Sequence, residues 1–160
     1  MTGVPPSLGS RGQGWVVLQF ELLGLALLVG LLDLSGWPAA LQGGLRYVGV
    51  LVVSAGVVLA VYAVLGLGSS LTALPAPVAS GTLRTTGVYA VVRHPIYSAL
   101  LLVVLGWSLM SSPWVLLVLV LLAVELDLKR RVEEDFLERT YEEYVAYRAQ
   151  VPWAFVPWVH

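Results

Sequence analysis

Long apolar runs separated by short polar breaks dominate this chain. Four of them, over 15–33, 45–67, 95–110 and 114–128, contain almost no charge. At about 1.5 Å per helical residue, such runs approach the roughly 30 Å of a bilayer's hydrocarbon core. Each predicts a membrane helix. The first run is long for a signal-peptide core, and the LSGWP that follows lacks a small-residue cleavage site.

The breaks between runs are of different kinds. Residues 1–14, rich in Gly, Pro and Ser, predict a disordered lead, and 15–160 reads as one membrane domain. Gly36, Pro38 and the Gly43–Gly44 pair predict a turn over 33–44. Residues 68–92 form the longest polar connection, and connections beyond about 12–15 residues in compact proteins are usually functional or disordered. Pro95 suits a helix start. Ser111-Ser112-Pro113 leaves room only for a tight helical hairpin. The fourth run continues without a breaker into a charged stretch, so one long helix is expected to leave the membrane and run over 129–150. The reading is an all-α polytopic membrane protein, with about four transmembrane helices and a long C-terminal helix extending into the cytoplasm.

Composition agrees. Of 160 residues, 58% are hydrophobic and 12% charged, with a net charge of −1 and a mean hydropathy of +0.84. Soluble domains carry about a quarter charged residues, so lipid must cover much of this surface. Nucleic acid would demand a basic face, and none is present. The absence of cysteine removes disulfides, thiolate metal sites and a cysteine nucleophile; no metal site is expected.

Lysine and arginine set the orientation. Arg11, Arg84, Arg93, Lys129, Arg130, Arg131, Arg139 and Arg148 fall on one side of the predicted bundle and Arg46 on the other. The lead, the 68–92 loop and the tail, with both termini, are therefore expected in the cytoplasm, with the plasma (inner) membrane as the site of insertion. Gly49, Ser54, Ala55 and Gly56 offer a small-residue surface for helix packing, including a homo-oligomer.

Two clusters carry candidate chemistry. Arg93-His94-Pro95-Ile96-Tyr97 stands at the mouth of the third run, and Glu133-Glu134 lies just beyond the fourth. A hairpin of those two helices brings the clusters together, so that a cation, an imidazole, a phenol and two carboxylates meet at the water–lipid boundary. Such a set can hold a zwitterionic ligand. Taken separately, each cluster also fits plainer roles, as an interfacial anchor or as helix-surface partners of Lys129 and Arg130. Glu21, deep in the first run and two residues from Gln19, is a functional candidate because a carboxyl there is costly, with a helix–helix contact as the alternative.

The stretch TTGVYAVVRHPIYSALLL followed by ELDLKRRVEEDFLERTYEEYVAYRAQVP resembles the isoprenylcysteine carboxyl methyltransferase and phospholipid methyltransferase family of membrane enzymes. Those proteins show T-x-G-P-Y-R-x-x-R-H-P-x-Y-x-G, a hydrophobic hairpin, then R-x-E-E-x-x-L-x-x-x-F-G-x-x-Y-x-x-Y. The similarity spans roughly 71–152. It implies transfer of a methyl group from S-adenosyl-L-methionine to a hydrophobic acceptor dissolved in the membrane, either an isoprenoid or prenylcysteine carboxylate or a lipid amine, entering sideways from the bilayer. By the same resemblance Tyr89, Arg93, His94, Pro95, Tyr97, Glu133 and Glu134 line the cofactor site, and Tyr144 and Tyr147 match two late tyrosines. For an amine acceptor, Glu21, His94 and Glu133 are the candidate catalytic groups. Departures from the pattern are Val88 for proline, Ala90 for arginine, Ala99 for glycine and Thr140-Tyr141 for Phe-Gly. Losing that last glycine predicts a straighter tail helix.

Tyr141 and Tyr144, three apart, read as the packed stripe of an amphipathic helix. The apolar, Trp-bearing stretch from Val151 to Trp158 is expected to fold back onto the cytoplasmic leaflet, closing the pocket or serving as an anchor. Two other functions fit the pattern: a nicotinamide-dependent membrane reductase, and a non-catalytic membrane scaffold.

Overall fold

The computed structural model describes residues 4–32 and 35–157; Asp33 and Trp158 therefore lie outside the described residues. Its regular elements are all helical: α1 (Gln13–Leu31), α2 (Ala39–Leu67), α3 (Pro95–Met110), α4 (Val115–Thr140) and α5 (Tyr144–Gln150), with single 3₁₀ turns at Gly68–Ser70 and Gly87–Ala90. Two of them, α1 and α2, are long and apolar enough to cross a membrane. The 16-residue α3 is apolar but shorter, and α4 is apolar only in its first part, before Glu125.

The chain runs up and down. α2 packs along α3, while α1 packs on α4 and α3 on α4. Among lipid chains there is little hydrophobic reward for helix association, so close approach and interhelical hydrogen bonds carry the packing. Gly106 of α3 faces Gly49 and Val53 of α2 so closely that a Cβ there would lie 2.7 Å from the Gly49 carbonyl oxygen. Gly56 meets Ala99 and Val103 in the same way. Gly49 and Gly56 are thus used against α3 within the chain, while Ser54 and Ala55 stay exposed. Away from the site the bundle is tied by indole and hydroxyl groups: Trp37 Nε1 donates to Ser108 O at 2.8 Å, Ser112 Oγ to Ser35 O at 2.9 Å and Trp107 Nε1 to Ala26 O at 3.1 Å. The core behind the site packs Tyr97, Val104, Val115, Val118, Leu122 and Leu126 with Ala26.

Several elements differ from the sequence expectation. The lead is not without structure: from Val4 onward it turns back on α1, with Gly14 N donating to Leu8 O at 2.9 Å and Trp15 Nε1 to Pro6 O at 3.0 Å, so α1 starts at Gln13. α2 begins at Ala39, since Pro38 fixes φ at −50° and leads directly into the helix; the Gly43–Gly44 pair lies inside it, facing open space. The tail is not one straight helix. Tyr141, at φ −121° and ψ 112°, breaks it without any glycine, and Thr140 Oγ1 folds back on Phe136 O at 2.8 Å. The bend turns α5 inward, burying Tyr144 and Tyr147 against Val151 and Leu83. A straight helix would leave both rings in water, and each carries roughly 150–250 Å² of mostly apolar surface.

Candidate active site

The loop after α2, the start of α3, the charged half of α4 and α5 enclose a pocket of about 440 Å³, within the usual range for small-molecule sites of roughly 300–1,000 Å³. Its roof is the 71–84 part of the long loop. That loop is fastened at its ends by Ser70 Oγ, which donates to Thr82 O at 3.1 Å and accepts from Thr82 N at 3.0 Å. Pro75, fully buried, packs under the lead against Gly12, whose φ of +81° and contact with the Pro75 ring leave no place for a side chain.

Arg93, His94 and Glu134 form the buried wall. Glu134 Oε1 accepts from Arg93 Nε at 3.1 Å, from Arg93 Nη2 at 2.9 Å and from His94 Nε2 at 3.1 Å. Burial alone would raise the Glu134 carboxyl. The His94 hydrogen bond and the charges of His94, Arg93 and Arg130 outweigh it and hold the group at about 2. An ionised carboxylate can only accept, which places a proton on His94 Nε2. His94 Nδ1 lies 3.6 Å from Glu133 Oε2, and Tyr97 O–H donates to the same Oε2 at 2.7 Å. The His94 and Tyr97 rings stack 5.3 Å apart. Arg130 does reach Glu134 at 3.4 Å but is held closer by Asp127, at 2.6 Å, so the Glu pair serves mainly the cross-helix contact.

The residues following α5 brace this wall from behind. Arg93 N donates to Trp153 O at 3.0 Å and His94 N to Ala154 O at 2.9 Å. Arg93 Nη1 reaches Val151 O at 2.7 Å and Ser98 Oγ reaches Phe155 O at 2.6 Å. Phe155 lies edge-on to His94. The tail thus does fold back, but as a brace: the long loop, not the tail, covers the pocket.

Each motif position has a definite place. Tyr89, Arg93, His94, Pro95, Tyr97 and Glu133 line the pocket, and Glu134 sits in the layer behind, holding Arg93 and His94. Tyr89 O–H donates to Ala63 O at 3.2 Å, and Tyr147 O–H to Tyr89 O at 2.7 Å. Tyr144 also lines the pocket; its buried hydroxyl has no hydrogen-bond partner among the described residues, and burial pushes it up so that it stays protonated. Glu21 is not brought to the site. It lies on the exposed face of α1, because residues two apart on a helix point about 200° from one another. Gln19 is the inward-facing one.

Two pocket residues went unread in the sequence, Gln19 and Lys129. Lys129 stands one helical turn from both Glu125 and Glu133, on the stripe that faces the pocket. That i, i+4 spacing within an otherwise apolar-to-polar helix was the available signal.

The described helices form an apolar bundle with a polar pocket at one end, walled by an Arg-His pair and two carboxylates. The family whose model matches is phospholipid methyltransferase, over residues 45–144, and the chain belongs to that family. Neither curated proteins nor solved structures gave a match.

Proposed function

We propose that the chain transfers a methyl group from S-adenosyl-L-methionine to an acceptor carried on a lipid, within a four-span arrangement whose pocket end faces the cytoplasm of an inner membrane. The observation that carries this reading is the roofed pocket of about 440 Å³ lined by Arg93, His94, Tyr97 and Glu133. The concentration of Arg and Lys at the pocket end, against Arg46 alone at the other, supports the orientation.

Bound S-adenosyl-L-methionine would supply an electrophilic methyl on a sulfonium. The protein's part is alignment and exclusion of water, and ordering two reactants is worth on the order of 7–11 kcal/mol. Arg93 and Glu134 lock His94, while Tyr97 locks Glu133. A carboxylate acceptor attacks with its own electron pair and needs no base. An amine acceptor must shed one proton, and Glu133 is the pocket carboxylate available to take it; Glu134 is held by three donors, and Glu21 lies on the outer face of α1. Val64, Leu67 and Ile96 in the lining give the acceptor's chain an apolar wall.

Calorimetric titration of the detergent-purified protein with S-adenosylhomocysteine tests this. Saturable binding is expected, weakened about tenfold, or ~1.4 kcal/mol, in His94→Ala and Glu133→Ala. A wild type that stays silent at millimolar ligand overturns the reading.

A further inference from the structure

Lys129 is among the most completely buried side chains of the protein, 1% exposed, yet it lines the pocket. The other buried or half-buried cations nearby are matched: Arg93 by Glu134, Arg130 and Arg131 by Asp127. Among the described residues no carboxylate lies within 4.0 Å of the Lys129 ammonium. Its close contacts are Gln19 Oε1, which accepts from Nζ at 2.5 Å, and the Tyr97 ring, 5.3 Å away.

An ammonium has three N–H donors and no acceptor. Because lysine can only donate, the Gln19 oxygen must face it, and the Gln19 amide then presents two further N–H donors on a side chain that also lines the pocket. Glu125 and Glu133, one turn away on α4, act on Lys129 through their charge without touching it, so the corner still offers N–H donors and an ammonium to a ligand. Its depth is informative too. Gln19 lies within α1, one of the two helices apolar enough to cross a membrane, and Ile96 and Val64 flank the same pocket. The corner thus opens on apolar walls, whereas the other pocket cation without a carboxylate partner, Arg84, is exposed on the loop at the watery end.

We propose that Lys129 and Gln19 form an anion subsite that seats the negatively charged oxygen of the lipid acceptor, a phosphodiester or a carboxylate, while its chain lies against the apolar lining. This rests on the methyltransferase reading for the word acceptor, but the binding itself is measurable without turnover. The ammonium supplies charge, and Gln19 both aims it and adds a donor. Glu133 lies too far to pair directly with the ammonium, and its Oε2 accepts from Tyr97 at 2.7 Å.

The test is lipid binding to the full chain in maltoside micelles, followed by native mass spectrometry, with and without S-adenosylhomocysteine. The probes are oleate, dioleoyl phosphatidic acid and, as a neutral control, oleyl alcohol. Wild type is expected to bind at least one anionic lipid about tenfold more tightly than the alcohol, and the preferred anion tells carboxylate from phosphate. Lys129→Met should abolish that preference, Lys129→Arg should keep most of it, and Gln19→Met should weaken it about threefold, all with S-adenosylhomocysteine affinity within about twofold of wild type. Should Lys129→Met fail to fold, the contrast between Lys129→Arg and Gln19→Met decides. An unchanged preference in the variants overturns the subsite. So does an equal loss of S-adenosylhomocysteine binding, which would assign the lysine to the cofactor's carboxylate. If wild type binds no S-adenosylhomocysteine but retains the lipid preference, the methyltransferase reading falls while the anion subsite stands.

Discussion

At the scale of single residues, charge matching separates the parts of the site. Glu134 is held low by three N–H donors, so its pairing stabilises the fold above the ordinary carboxylate value of 4.5 and loses that contribution as pH falls toward about 2. Thermal unfolding in detergent should therefore show acid destabilisation beginning near pH 4.5, and Glu134→Gln should flatten that part of the profile while lowering stability at neutral pH. Glu125 is the opposite case. It is 3% exposed, and among the described residues neither carboxyl oxygen has a hydrogen-bond partner. A buried polar group left unmatched costs about 1–3 kcal/mol. Glu125→Leu is thus expected to raise the unfolding midpoint while S-adenosylhomocysteine binding stays within about twofold; a lowered midpoint would mean that the carboxyl is matched after all. At this scale the sequence was informative where motif residues lie close to one another in the fold, as with Arg93, His94, Tyr97 and the Glu pair. It misled at Glu21 because depth in an apolar run says nothing of helix face. A one-residue error in facing is 100°, and only the packing of α1 on α4 reveals that Gln19 points inward.

At the scale of elements, α3 is the best-read and α4–α5 the worst. Pro95 and the Ser-Ser-Pro break bound α3 by local backbone chemistry, which a sequence displays. The break at Tyr141 has no such mark: it arises because two tyrosines further on gain burial by turning back, a tertiary gain that local propensity does not carry. The contact of the lead with the long loop was unread for the same reason, since Pro75, far along the chain, packs on Gly12. The α2–α3 contact gives a test at this level. A side chain at Gly106 meets backbone atoms of α2, 2.7 and 2.8 Å from its Cβ, and backbone cannot step aside as a flexible side chain can. Gly106→Val should destabilise by about 1–3 kcal/mol, as overpacking does, and it should weaken S-adenosylhomocysteine binding through the displaced start of α3. Unfolding midpoints set against Gly43→Val, which faces open space in the same bundle, check the point.

At the scale of the whole molecule, the alternation of apolar runs was enough to read an all-helical membrane chain. Among the described residues only α1 and α2 are long and apolar enough to span unaided, and α3 and the apolar part of α4 complete the bundle as a short hairpin against them. The chain's lack of cysteine makes its topology easy to probe. A single cysteine at Thr85, on the exposed loop, should react with a membrane-impermeant maleimide only from the cytoplasmic side in sealed vesicles. One at Ala40, exposed at the other end of α2, should react only from the opposite side. Labelling of both from one side would overturn the four-span orientation.

The brace formed by residues 151–155 has a consequence in time. On the proposed four-span arrangement, the α3–α4 hairpin can enter the bilayer as soon as its apolar halves have left the ribosome. Arg93 and His94 still lack acceptors for their amide protons then, because those carbonyls belong to residues translated later. On that arrangement, membrane insertion and completion of the pocket are separate events during biosynthesis. A nascent chain halted at Gln150 is expected to be integrated in the lipid yet to bind no S-adenosylhomocysteine.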